Sequence, residues 1–160
     1  MRKTVLFSLA LCLFLTATAY SANNALMNMH SRVMKESNNI KLLLKNSRDV
    51  VLLTSMWDSC FIAMNQLDAY FSMVAIVETI KKQELTEAAV NYLLSWLSDI
   101  KKTNEANISS LVSSAQAVDN PTKVAVERMK IIFSDLNKMI EAESSRLTIL
   151  RAGITRKMVR

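Results

Sequence analysis

Between Val50 and Val74 apolar residues recur at alternating steps of three and four: Val50, Leu53, Trp57, Cys60, Met64, Leu67, Phe71 and Val74. No Pro or Gly interrupts them. Such spacing keeps one face of an α-helix apolar and predicts a helix packed along other helices. Phe61, Ile62, Tyr70, Met73, Ile76 and Val77 widen the stripe, so this helix is expected to be the most buried of its bundle.

The same rhythm marks three further segments. From Ala22 to about Asn46 it runs through Leu26, Met29, Val33, Ile40 and Leu43, with Glu36 on the seam. Ser37-Asn38-Asn39 is expected to fray, kink or break that helix, because these side chains compete with the backbone for hydrogen bonds. A third helix, capped by Thr86, follows Ala89, Leu93, Trp96, Ile100, Ile108, Leu111, Ala115 and Val118. Its polar middle, Lys101 to Glu105, predicts thin packing within a continuous helix. Asp119-Asn120-Pro121 is the sharpest boundary, with Asn120 as cap and Pro121 in the first turn. The fourth helix then follows Ala125, Met129, Ile132, Leu136, Met139, Leu147 and Leu150, interrupted by Glu143. Gly153 reads as its stop.

These segments predict an all-α fold, an antiparallel up-down bundle of four helices over residues 22–152. Residues 153–160 form a basic C-terminal tail. The alternative is three helices, the first running from residue 24 to 82, because the seam phase passes from Val33 through Ser47 to Val50 without a break. That helix would be about 90 Å long. A turn near residues 46–48, capped by Asn46 or Ser47, gives the more compact answer. One Gly and one Pro in 160 residues fit few, long helices and leave little material for the turns of a sheet protein.

The N-terminus reads as a targeting segment. Arg2 and Lys3 precede an apolar run from Val5 to Leu15, and small residues follow at Thr16 to Ala19. This is the layout of a signal peptide, 1–19, cleaved after Ala19 or Ser21. The run is short for a membrane span, and no later apolar segment is expected to be long enough for one. The mature chain is therefore expected in the periplasm or outside the cell. Cleavage would leave Cys60 as the one cysteine, so no internal disulfide could form. Its seam position predicts a buried thiol; pairing between two chains is the alternative.

Net charge is +6 over the whole chain, mild and mixed in sign. With aromatics on the helix seams, it does not suggest nucleic-acid binding. Arg146, Arg151, Arg156, Lys157 and Arg160 make the C-terminus basic, which suits a helix end or an anionic membrane surface.

Candidate chemistry is sparse. The single His, His30, and Cys60 lie on different helices, without a nucleophile signature. There is no Gly-rich phosphate loop, no C-x-x-C pair and no Glu-x-x-His motif. No catalytic residue, cofactor site or cofactor is assigned. Met27, His30 and Met34 share one helical face at steps of three and four and are the metal candidates; thioether and imidazole suit Cu(I). Methionine equally fills gaps in apolar cores. Glu36 and Glu143 fall on seams and are expected to mark edges where the seam meets water. Asn107-Ile108-Ser109 is a formal glycosylation sequon.

The chain thus reads as an exported helical bundle, not an enzyme, that acts as a partner-binding, structural or sensing module. Its partner would be another protein or a second copy. A copper- or small-ligand-binding bundle and a membrane-active bundle are the alternatives.

Overall fold

A computed structural model describes residues 24–80, 87–113 and 119–158. It is an all-α, four-helix, antiparallel bundle: α1 (24–43), α2 (Val50–Ile80), α3 (Glu87–Ser113) and α4 (Asn120–Met158). The proposed signal peptide and its cleavage sites lie outside the described residues, as do Thr86, Ala115 and Val118.

Cross-helix contacts set the topology. Arg32 meets Asp135 and Glu36 meets Arg128, so α1 and α4 run in opposite directions. Ser59 reaches Asn107 and Gln66 reaches Thr103, making α2 and α3 antiparallel. Lys101–Glu141 and Asn91–Arg151 do the same for α3 and α4. On the diagonal, Cys60–Met129 and Tyr70–Glu143 make α2 and α4 parallel. This is up-down-up-down order.

The long N-terminal helix does not occur. Residues 44–49 leave helical geometry and turn the chain. Side-chain hydrogen bonds hold that turn against the start of α4. Asp49 accepts the first intrahelical bond of α2 from Leu53 N, and Ser47 Oγ accepts from Asp49 N. Ser47 Oγ in turn donates to Asp119 Oδ2, and Asp119 N donates to Asp49 Oδ2. Asp119, rather than Asn120, caps α4. Its carbonyl accepts from Lys123 N, and its Oδ1 accepts from Thr122 N at 2.7 Å, as an N-cap carboxylate does. The N-termini of α2 and α4 thus share one interlocked cap.

The expected break at Ser37-Asn38-Asn39 is absent, and α1 is continuous through it. Ser37 is buried and Asn39 Nδ2 donates to Glu36 Oε2, neither of which opens the helix. Gly153 does not stop α4, which continues to Met158. No left-handed backbone is found there, and a Cβ at that position would meet nothing. Residues 153–158 are therefore helix rather than free tail.

The seam of α2 is shifted by one residue at alternate steps. Its buried row is Leu53, Met56, Cys60, Ala63, Leu67, Tyr70 and Val74. Trp57, Met64 and Phe71 flank that row, half-buried against the core. Val50 is exposed. Apolar residues stand side by side at 56–57, 63–64 and 70–71, so periodicity alone leaves the choice within each pair open. In α3 the same shift puts Val90 and Leu97 inside in place of Ala89 and Trp96.

Nor does α2 stand apart as the most buried helix: the longest row of buried apolar side chains is that of α4, with Ala125, Val126, Met129, Ile132, Phe133, Leu136, Ile140 and Leu147 inside. The outer face of α2 exposes Val51, Phe61, Ile62 and Ile76, Val51 at 86%. By length and composition alone, Val50–Val77 is apolar enough to cross a membrane, contrary to the expectation that no later segment would be. Its only charges, Asp58 and Asp68, stand ten residues apart, so an 18-residue window can hold as few as one of them.

Candidate functional site

Two buried acids interrupt the apolar core. Glu36 is 3% exposed and Glu143 2%, so neither marks a wet edge as expected. Each is tolerated because an arginine neutralises it. Arg128 Nε donates to both Glu36 oxygens at 3.0 Å, and its Nη2 lies 2.9 Å from Oε1. Arg146 makes a two-pronged contact with Glu143, Nε to Oε2 at 2.8 Å and Nη2 to Oε1 at 2.6 Å. Tyr70, itself buried, donates its hydroxyl to the same Oε1 at 2.6 Å. A carboxylate that accepts from paired guanidinium donors can stay charged where a lone one could not.

Neither pair has a nucleophile ready for use. Burial, reinforced by the Glu143 charge, drives the Tyr70 hydroxyl far above its usual range. The Cys60 thiol is pushed up to about 12, first by burial and then by the Glu36 charge. It lies 3.3 Å from Met129 Sδ and is the small buried hydrophobe its seam position predicts. With no thiolate and no surface exposure, pairing between chains through Cys60 requires the bundle to open.

The metal candidates fare differently. Met27 and Met34 are exposed, while the His30 ring packs edge-on against Phe71. His30 Nε2 faces Asp68 Oδ1 at 3.3 Å. The histidine therefore serves as a cross-helix tie between α1 and α2. Among the described residues no group of three or more His, Cys, Asp and Glu side chains converges. At the sequon, Asn107 is half-buried and its Nδ2, the atom a glycan would modify, is sealed from solvent.

The accessible feature is a groove of about 940 Å³ between α1 and α4. Leu42, Leu43, Pro121, Val124, Ile131 and Ile132 supply its apolar surface. Leu42, Val124 and Ile131 remain more than half exposed. Arg32, Lys35 and Arg128 stand along it. The one acid in its lining, Glu36, is buried beneath Arg128, so the charged groups the groove exposes are cationic, with Arg128 paired to Glu36 and Arg32 to Asp135.

The groove follows from the sequences of the two helices that form it. The buried row of α1 is narrow: Leu26, Met29, Val33, Glu36 and Ile40, with Ser37 beside it. An acid at the centre of that row draws an arginine from α4 to the joint. The guanidinium occupies space that a large apolar residue would fill in a tighter seam. Sequence periodicity located Glu36 on the seam; nothing in it paired Glu36 with a residue 92 positions away. Comparison with protein-family models, with curated proteins and with solved structures finds no match for this chain.

Proposed function

We propose that this chain is an exported helical bundle that binds a protein partner through the groove between α1 and α4. The observation that carries the reading is exposed apolar surface arranged as a groove with a positive rim. A partner helix with an apolar stripe and acidic flanks fits such a surface by the helix-in-groove mode. Leu42, Val124 and Ile131 would take the apolar anchors, and Lys35 a flanking carboxylate. The Glu36–Arg128 pair joins the two walls of the groove, and neither buried arginine–glutamate pair is assigned chemistry of its own, so the reading is a binding module and not an enzyme. Export rests on the N-terminal pattern of Arg2, Lys3 and the apolar run behind them.

A photo-crosslinking residue placed at Val124 in the secreting cell tests the groove. A discrete protein adduct is expected at Val124, lost when Ile131→Asp is added, and absent from a control position at exposed Tyr92 on α3. Equal labelling from Val124 and Tyr92, or none from either, would count against the groove. N-terminal sequencing of the exported material should begin at Tyr20 or Ala22; an intact Met1 would remove the export claim.

A further inference from the structure

We infer that the occupant of the α1–α4 groove is the outer face of α2 from a second copy of this chain, so that copies associate head to tail. This rests on the groove being a binding surface and names what binds there. The first reason is charge. From Val50 to Ile80 the chain has Asp58, Asp68 and Glu78 and no Lys or Arg. In α4 there are twice as many basic residues as acidic ones, and α1 adds Arg32, Lys35 and Lys41 against Glu36 alone. Adjacent helices α1 and α4 thus both carry net positive charge in sequence. The exposed apolar face of α2 carries only negative charge.

The second reason is the match in spacing. Along α2 an exposed valine, an acid and an exposed phenylalanine stand at Val51, Asp58 and Phe61, steps of seven and three. Along the groove Leu42 and Lys35 are also seven apart on α1, and Arg128 and Ile131 three apart on α4. Helical rise turns these into apolar-to-charge distances of about 10 Å and about 5 Å on both surfaces. A register therefore exists in which Asp58 faces Lys35, beside the Glu36-paired Arg128, while Val51 and Phe61 meet Leu42 and Ile131. Two copies of the α2 face against each other would instead bring acid-bearing helices together with no cation between them. Because donor face and groove are different surfaces, each copy retains one of each after pairing, and the contact propagates into a ring or an open chain.

Charge reversal tests it. The purified protein should show a weight-average mass by light scattering that rises with concentration past one chain and falls on adding salt. Asp58→Lys and Lys35→Glu, both at exposed positions, should each weaken association by about tenfold while leaving the circular-dichroism spectrum and melting temperature unchanged. The double variant should recover it to within about threefold, because the pair then attracts again. Recovery supports the contact directly, since loss of fold in either single variant could not produce it. A strict monomer at every concentration, a dimer insensitive to both reversals, or a monomer whose α2 face binds anionic or neutral vesicles instead would each overturn the assignment. With a strict monomer, a groove-dependent adduct of different mass at Val124 would leave the groove as a binding surface and remove only the second copy as its occupant.

Discussion

At the scale of the residue, the distinctive choices are acids inside the core. Glu143 is the more constrained of the two. Its oxygens accept from Arg146 and from Tyr70, whose hydroxyl has no access to water. Removing the carboxylate strands two donors at once, and water can reach only the arginine readily. Glu36 differs, because Arg128 is 42% exposed and can rehydrate if its partner goes. Glu143→Ala is therefore expected to lower unfolding free energy by about 3–5 kcal/mol. Glu36→Ala should cost less, and Tyr70→Phe only about 1 kcal/mol, the net worth of one hydrogen bond. Urea titrations followed by circular dichroism would rank the three. A Glu36→Ala cost equal to or above that of Glu143→Ala would contradict the role assigned to the stranded tyrosine. Neither pairing was legible beforehand, since an acid on a heptad seam announces a problem without naming the residue that solves it.

At the scale of the element, helix existence was readable and helix detail was not. The three-four rhythm located all four helices because it needs only the spacing of apolar residues. It misassigned Trp57, Met64 and Phe71 because each has an apolar neighbour one position earlier, and packing chose Met56, Ala63 and Tyr70. It gave the cap to Asn120 because Asn before Pro is a common signal, whereas Asp119 has the geometry. Hydrogen bonds from the Ser47 hydroxyl, then from the Thr122 hydroxyl and Thr122 N, hold the Asp119 carboxyl down at about 2, below the usual carboxylate range. A depressed folded-state value means the charged cap stabilises fully above the unfolded value and loses that contribution as pH falls toward 2. Asp119→Asn should therefore melt below the parent at neutral pH, with the gap closing as the buffer is taken from about pH 5 toward 2. A gap independent of pH would mean that the hydrogen bonds act without the charge. Gly153 carries a simpler expectation. It sits inside helix with open space where a side chain would go. Gly153→Ala should raise stability by up to about 1 kcal/mol, measured by the same titration. A loss would show that the backbone there leaves helical geometry.

At the scale of the whole molecule, the helices are not equivalent. The α3–α4 pair shares the most extensive contact among α2, α3 and α4, and α4 contributes the longest row of buried side chains. Where polar residues cross α3, Asn104 is fully buried and donates to Asn137, so the stretch predicted to be thin is a specific polar joint within that pair. Lys101–Glu141 and Arg151–Asn91 extend the joint toward the start of α3 and the C-terminal part of α4. By contrast, α2 flanks its buried row with side chains that are only half-buried, Trp57, Met64 and Phe71 among them, and keeps Val51, Phe61, Ile62 and Ile76 outside. Local opening follows the amount of apolar surface each unit buries, so the bundle should not exchange its amide hydrogens uniformly. The slowest amides are expected between Leu93 and Asn104 in α3 and between Met129 and Ile140 in α4. Those of α2 should exchange through an opening that costs about 2 kcal/mol less, roughly thirtyfold faster at the same pH. Native-state exchange read by mass spectrometry at dilute concentration would measure this. If α2 shares the slowest rate, the four helices open as one cooperative unit. If α2 is slow only in concentrated samples, its outer face is covered there, the protection that docking in a neighbour's groove would give.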